Sequence, residues 1–260
     1  MIRLGAHMSI AGGHEKSIER GLSVGCETIQ IFSKSNNQWD APPITEEQAE
    51  RFKQAVAQSG VGPVFAHTAY LINVGSPEKT VWTRSRSALK TEVERATALG
   101  LPFIVHHPGS HKETGEAEGI KRIAEAARWV IDQTPKSKVK ILFEIAAGQG
   151  ACIGHRFEHL AEILEKTGHP ERTGICLDTC HFSVMGEDPL EVFTKLQDKG
   201  LRVPKIQASA ALIALSERVF IRPELHDRLR GSEPFLHWRA CCERARQLRE
   251  QLDERIDHPA

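Results

Sequence analysis

The chain has 260 residues, enough for one large α/β domain or two small ones. Its 34 Lys and Arg residues balance its 34 Asp and Glu residues, so no global cationic field attracts a polyanion and any contact with nucleic acid must rest on a local patch. Residues 1–13 lack an apolar segment behind a basic start, and no run approaches the roughly 18 apolar residues of a membrane span, which predicts a soluble cytoplasmic protein. The six cysteines form no CxxC pair, which favours free thiols over a disulfide framework.

Short apolar, β-branched runs alternate along the chain with longer stretches of helical spacing rich in Glu, Lys, Arg and Ala. This alternation predicts strands at residues 3–8, 27–33, 62–68, 102–108, 139–145, 174–179 and 203–209. Helices are predicted to begin near residues 12, 45, 79, 116, 156 and 188. Thr45 is a predicted N-cap because its hydroxyl precedes acidic first-turn residues. Glycines are predicted to end three of the helices, at Gly60, Gly100 and Gly200.

Strands flanked by helices on both faces predict a parallel sheet, and regular βα units without a Pro/Gly/Ser-rich linker predict one domain over residues 1–260. The preferred fold class is an α/β (β/α)8 TIM barrel. A doubly wound open sheet is the alternative, but no GxGxxG or Walker-type turn follows a strand. No eighth strand is evident between Ser209 and a helical segment at 236–256, so we expect an incomplete or irregular last βα unit.

Ionisable residues stand where several of the apolar runs end. In a (β/α)8 barrel the C-terminal ends of the strands converge on one mouth, where the chemistry takes place. A single strand-end histidine is more often a hydrogen-bonded core residue than a ligand, but buried polar groups from several strands are difficult to satisfy without a cation. The side chains concerned are His7, His67, His106, His107, Glu144, Asp178 and His181.

Imidazole and carboxylate groups bind Zn²⁺, Mn²⁺ and Fe²⁺, and Zn²⁺ is favoured where histidine dominates. His67, His107 and Glu144 alone make a set of two imidazoles and one carboxylate with an open position for water. If Asp178 is the last inward residue of its strand and His181 already lies in the following loop, these two residues address neighbouring metal positions.

Three loop segments are weaker candidates for binding a substrate. Residues 32–40 carry amides and Trp39, which are equally typical of a solvated turn. Tyr70, the one tyrosine, follows shortly after His67, where it either stacks on a substrate or packs within its loop. The Gly-rich stretch at 148–160 leads into a helix, an arrangement that can hold a phosphate on backbone amides.

Six motifs stand together in one order: GAHMSIAGG (5–13), FSKSNNQW (32–39), HTAYLIN (67–73), HHPGSH (106–111), FEIAAGQG (143–150) and CLDTCHF (176–182). With them the chain resembles the endonuclease IV family of abasic-site endonucleases, which are xylose isomerase-like TIM barrels. Residues 1–200 are similar to that family, and residues 201–260 diverge from it.

The resemblance implies a trinuclear zinc site and hydrolysis of the phosphodiester 5′ to an abasic site in duplex DNA, with a 3′-hydroxyl product. Carried over by position, it implies that His67 and His107 bind one metal and that Glu144, the expected catalytic residue, bridges this metal to a second. Asp178 is implied as a ligand of the second metal and His181 as a ligand of the third.

The resemblance also implies contacts with DNA. Tyr70 and Leu71 match the loop that the family inserts into the minor groove at the lesion, and Gln38 is retained in a second DNA-reading loop. Asn37 stands where the family commonly has an intercalating arginine.

The last third of the chain departs from the family pattern. Gln207 stands nearest the position of an expected ligand histidine, while His226 and Asp227 are conceivable substitutes for ligands in the following loop. No equivalent of the final metal-binding glutamate precedes the C-terminal helix. We therefore expect one or two Zn²⁺ ions rather than three, with Mn²⁺ as an alternative metal.

The predicted function is that of a metal-dependent DNA repair endonuclease acting as a monomer, without contact with a membrane. Two alternatives remain open. One is a divergent xylose isomerase-like barrel that acts on a sugar-type small molecule with one divalent cation, which the zero net charge mildly favours. The other is a catalytically impaired homologue that binds metal, DNA or a partner without turnover.

Overall fold

The computed structural model describes residue 3 and residues 5–178. Within this part, six strands pair in parallel in the order β1-β2-β3-β4-β6-β8, and β5 pairs with β7 in a separate two-stranded ladder. The strands are β1 (Gly5–His7), β2 (Thr28–Phe32), β3 (Val64–His67), β4 (Phe103–His106), β5 (Gly109–Ser110), β6 (Lys140–Glu144), β7 (Cys152–Ile153) and β8 (Thr173–Cys176).

A helix lies between each pair of successive strands in the six-stranded sheet. The helices are α1 (Glu15–Ser23), α2 (Glu46–Ser59), α3 (Lys79–Leu99), α4 (Glu116–Gln133) and α5 (Phe157–Thr167). Parallel strands in chain order, each followed by a crossover helix, are the arrangement predicted for the (β/α)8 barrel. Among the described helices, none combines the length and the apolar composition that crossing a bilayer requires.

Local signals in the sequence define where α2 and α3 begin and end. The Thr45 hydroxyl accepts a hydrogen bond from the Gln48 amide at 3.2 Å, and the Gln48 side chain accepts one from the Thr45 amide at 3.0 Å. This reciprocal pair is a capping box, so the predicted N-cap is confirmed. Gly60 and Gly100 end α2 and α3 in the left-handed conformation, as predicted.

Apolar side chains divide between the two faces of the sheet. A large outer cluster joins strand residues such as Ile104 and Phe143 to apolar residues of the helices. A small inner cluster contains Phe65, Phe103, Val105, Leu142 and Cys176. Because successive side chains in a strand point to opposite faces, the inner face also receives the residues two positions further along, at the C-terminal ends of the strands.

Two loops at this end of the sheet are joined by hydrogen bonds. The loop after β4 contains β5, the loop after β6 contains β7, and Gly109 pairs with Ile153 in their antiparallel ladder. Asn73, in the loop after β3, accepts hydrogen bonds from the amides of Ser110 at 2.9 Å and Gly75 at 3.1 Å. The loops that follow β3, β4 and β6 therefore support one another.

Six of the seven predicted strands are present, each shorter than the apolar run that predicted it. The remaining predicted elements lie outside the described residues: the strand at 203–209, the helices beginning near 188 and at 236–256, the helix end at Gly200, and the irregular last βα unit.

Candidate metal centre

Three ionisable side chains from neighbouring strands meet at the C-terminal end of the sheet. His67 ends β3, Glu144 ends β6, and His107 directly follows β4. The Nε2 atoms of His67 and His107 lie 3.2 and 3.5 Å from Oε2 of Glu144, and the three donor atoms all lie within 4.8 Å of one another. The side chains of His67 and Glu144 are 1% and 2% exposed, whereas that of His107 is 34% exposed. The group is thus accessible from the His107 side.

Hydrogen bonding limits the protonation states of this group. Nδ1 of His67 lies 2.7 Å from the Thr68 carbonyl oxygen, so Nδ1–H donates and Nε2 of a neutral ring carries a lone pair. That lone pair faces the carboxylate oxygen of Glu144, and two buried acceptors in contact are unfavourable unless a cation lies between them. A proton on Nε2 or a metal ion meets this requirement.

The spacing of the donor atoms fits a transition metal. Zn²⁺ binds imidazole nitrogen and carboxylate oxygen at about 2.0–2.2 Å, which places two ligand atoms of a tetrahedral site about 3.3 Å apart. The two separations from the Glu144 oxygen, 3.2 and 3.5 Å, lie on either side of this value. The bond from His67 Nδ1–H to a carbonyl is the outer contact that commonly orients a metal-binding imidazole. The donor set therefore suits a divalent transition metal chemically, and its two separations from Glu144 are compatible with tetrahedral ligation.

The other predicted ligands are placed less completely. Asp178 is buried and lies two residues beyond Cys176, on the inward alternation of β8. Among the described residues, its carboxylate is not in the group whose donor atoms all lie within 4.8 Å of one another. The remaining candidates lie outside the described residues: His181, Gln207, His226 and Asp227.

His106 does not belong to the mouth of the barrel, and that expectation is wrong. Alternation along β4 places it on the face of Ile104, which packs in the outer cluster. Its Nδ1 pairs with the Thr68 hydroxyl at 2.9 Å, while in the described part of the chain its Nε2 has no hydrogen-bond partner. Burial, reinforced by the charges of His107 and His67, lowers the pKa of His106 to about 3, so this imidazole stays neutral. It is a core histidine.

Exposed apolar groups border the metal centre. Tyr70 is 58% exposed and Leu71 is 37% exposed, both in the loop after β3. The Tyr70 ring lies 5.4 Å from the His67 ring and 6.2 Å from the His107 ring, between centroids. An aromatic face is thus presented to solvent beside the candidate ligands.

The loop after β2 contains the two predicted amide contacts. Asn37 and Gln38 are exposed, while Ser33 and Lys34 at the start of the same loop are buried. Nζ of Lys34 donates to the Gln38 carbonyl at 2.5 Å, and Arg84 of α3 stacks on the Trp39 ring at 4.5 Å. The exposed side-chain amides of Asn37 and Gln38 therefore lie on a loop that buried Lys34 and the helix residue Arg84 stabilise.

A second group of two histidines and a glutamate was missed in the sequence. Glu116 lies in the first turn of α4, His159 in the first turn of α5, and His155 in the Gly-rich stretch before α5. Their donor atoms also lie within 4.8 Å of one another, but the Arg156 guanidinium contacts Glu116 at 2.7 Å and His159 at 2.5 Å. Burial alone raises the pKa of the Glu116 carboxyl, and attraction to His159 and Arg156 outweighs it, so this pKa is lowered. An arginine thus already balances the carboxylate charge.

Comparison with known proteins identifies the family. The family model described as the xylose isomerase-like TIM barrel matches residues 18–250. The chain belongs to this family. For this xylose isomerase-like barrel, the match confirms the fold class predicted from the alternation of strands and helices.

Named relatives of the xylose isomerase-like barrel are endonuclease 4 proteins. A protein of Chloroflexus aurantiacus named probable endonuclease 4 is 44% identical over 188 residues, which are 72% of this chain and 66% of that protein. A probable endonuclease 4 of Geotalea daltonii is 44% identical over 185 residues, 71% of this chain and 65% of that protein. The chain matches slightly less than two thirds of the length of these relatives. The predicted resemblance to endonuclease IV is confirmed.

Solved structures agree with this assignment. Endonuclease IV from Thermus thermophilus superposes with a TM-score of 0.71 at 27% identity, covering 93% of this chain and 99% of that one. A D-psicose 3-epimerase superposes with a TM-score of 0.58 at 12% identity, covering 72% of this chain and 67% of that one. The epimerase shares the fold of this xylose isomerase-like barrel.

Proposed function

We propose that the protein is a metal-dependent DNA repair endonuclease that hydrolyses the phosphodiester 5′ to abasic sites in duplex DNA. The observation that carries the proposal is the convergence of His67, His107 and Glu144 beside the exposed Tyr70. The identity to probable endonuclease 4 proteins supports the substrate class.

In this proposal His67, His107 and Glu144 hold the first metal, and Glu144 is central because one of its oxygens faces both imidazoles. A divalent cation in this position supplies Lewis-acid stabilisation for a phosphodiester and lowers the pKa of water. The chain itself contributes orientation, since the Thr68 carbonyl fixes the His67 ring and burial limits the movement of Glu144.

Asp178 and His181 are proposed as ligands of a further metal beside the first. The dominance of imidazole favours Zn²⁺, with one or two ions bound and Mn²⁺ as the alternative. Asp178 is buried on the inward alternation, a position compatible with this role.

The exposed residues near the centre provide the proposed contact with DNA. A tyrosine ring and an adjacent leucine can enter a duplex where a base is missing, because stacking and apolar contact then replace the lost base. Tyr70 and Leu71 have the required exposure, and the Tyr70 ring lies next to the ring of the ligand His107. Asn37 and Gln38 are proposed to contact the same duplex from the loop after β2.

Cleavage of a duplex oligonucleotide that carries one abasic site tests the proposal. We expect incision 5′ to the site with added Zn²⁺ or Mn²⁺ and no incision with a chelator. In Glu144→Gln we expect the cleavage rate to fall by at least about a hundredfold, as for the loss of other preorganised charged groups. Glu116→Gln is the matched control, because Glu116 also faces two histidines but lies outside the proposed centre. Absence of incision by the wild type would refute the nuclease function and direct assays to sugars and small phosphate esters.

A further inference from the structure

Glu92 is a buried carboxylate that lies between two loops at the mouth of the barrel. It is carried by α3, and its side chain is 2% exposed. A carboxylate in this environment is strongly unfavourable unless it is paired and hydrogen-bonded. Its partners therefore show what the chain gains by keeping it there.

Both carboxylate oxygens of Glu92 contact the loop after β2. The Ser33 hydroxyl donates to Oε2 at 2.6 Å, and Nζ of Lys34 lies 3.4 Å from Oε1. Lys34 in turn donates to the Gln38 carbonyl, so the chain of contacts ends at a residue exposed for the proposed DNA contact.

The same Oε1 atom also accepts from the loop after β3. The Ala69 amide donates to it at 3.4 Å, and Ala69 directly precedes the exposed Tyr70. Ala69 is itself buried, so its backbone fixes the point from which Tyr70 and Leu71 project. A single carboxylate thus holds the bases of two separate loops.

Arg95, one turn further along α3, completes this support. Its guanidinium donates to the Ser33 carbonyl at 2.6 Å and to the Pro42 carbonyl at the far end of the same loop. In the described part of the chain, the hydrogen bonds of Arg95 go to the loop after β2, whereas Glu92 bonds to both loops. Among the hydrogen bonds of the described residues, those of Glu92 therefore connect the two loops.

We propose that Glu92 is a positioning residue that fixes the loop after β2 and the loop carrying Tyr70 in one common arrangement for duplex DNA. The effect of Glu92 on DNA cleavage rests on the proposed function. The link between the two loops rests on the hydrogen bonds of Glu92 alone. Glu92 does not touch the candidate metal ligands in any contact described above, so its loss acts on DNA binding before it acts on chemistry.

The test uses the full chain with Glu92→Gln and the matched control Glu94→Gln, an exposed glutamate of the same helix that pairs with Lys90. Glu92→Gln leaves the buried ammonium group of Lys34 without a counter-charge, which is itself destabilising. The double variant Lys34→Met/Glu92→Gln removes both charges and so separates this effect from the loss of the Glu92 hydrogen bonds. Steady-state cleavage of the abasic duplex gives KM and kcat, and hydrogen exchange in the absence of DNA reports on both loops.

For Glu92→Gln and for the double variant we expect KM to rise about tenfold while kcat changes much less, because loops that are no longer preorganised must be ordered when DNA binds. Hydrogen exchange at Ala69 and across residues 35–42 is expected to accelerate together, while the core amide of Ile141 keeps its wild-type rate. Glu94→Gln is expected to match the wild type in both measurements.

Acceleration in only one loop, or in neither, would overturn the connection. An unchanged KM in an otherwise active variant would overturn its role in positioning DNA. If the wild type cleaves no abasic duplex, the proposed function fails, and hydrogen exchange still decides whether Glu92 connects the two loops.

Discussion

Asn73 is expected to contribute more to stability than a loop residue usually does. Its Oδ1 accepts hydrogen bonds from the Ser110 and Gly75 amides, and its Nδ2 donates to the Ser110 carbonyl at 3.2 Å. Gly109 has a φ of 113°, and a Cβ there would lie 2.4 Å from the Asn73 Oδ1. The backbone after β4 thus approaches this one side chain closely.

Asn73→Ala removes all three hydrogen bonds, each with a net contribution of about 1 kcal/mol, so the free energy of unfolding is expected to fall by about 3 kcal/mol. Asn73→Asp retains both acceptor positions but turns a carboxylate oxygen toward the Ser110 carbonyl oxygen, so a decrease of about 1–2 kcal/mol is expected. Urea unfolding of the metal-free protein near neutral pH, with an unchanged m-value, measures both. Equal effects of alanine and aspartate, or a decrease below about 1 kcal/mol for alanine, would refute this reasoning.

Three further outcomes are expected. Thr45→Ala is expected to destabilise the protein by about 1 kcal/mol because the cap of α2 is lost, and Thr45→Ser, which keeps the hydroxyl, by much less; equal losses would contradict this. Burial lowers the pKa of His14 more than its bond to the Ser33 carbonyl raises it. The unfolded state therefore binds a proton on the His14 ring more readily than the folded state does. The urea midpoint is expected to fall as the pH decreases below about 6.5, the pKa of histidine in the unfolded chain, and to fall less steeply in His14→Gln. Parallel slopes of the two proteins would contradict this. Tyr70→Ala is expected to weaken binding of the abasic duplex by about 1–3 kcal/mol in fluorescence titrations, whereas Tyr70→Phe retains binding; equal losses would exclude stacking.

Local periodicity predicted most of the described fold. The alternation of β3 and β6 places His67 and Glu144 on the same face of the sheet, and their positions as the last residues of parallel strands place them at the same end. The same rule, applied strictly to β4, would have separated His106 from His107. The histidine pair was treated as one feature, and only the packing of Ile104 and Phe143 shows which face His106 occupies.

Contacts between distant elements had no comparable signal. Glu92 and Glu116 are ordinary acidic positions in helical stretches, and their partners are 59 and 43 residues away, at Ser33 and His159. Their importance arises only when packing removes solvent from one side chain or brings two helix starts together. Such pairings depend on the completed tertiary structure, which residue spacing alone does not specify.

The ladder between β5 and β7 also restricts how this protein can change in evolution. Loops on a barrel usually accept insertions and deletions independently, because each is attached only at its own ends. Here the pairing of Ser110 with Cys152 means that a change of length on either side must preserve the register of the other. The segments after His107 and Glu144 are therefore expected to vary in length together, as one inherited unit, while the loops at the opposite end of the sheet vary separately.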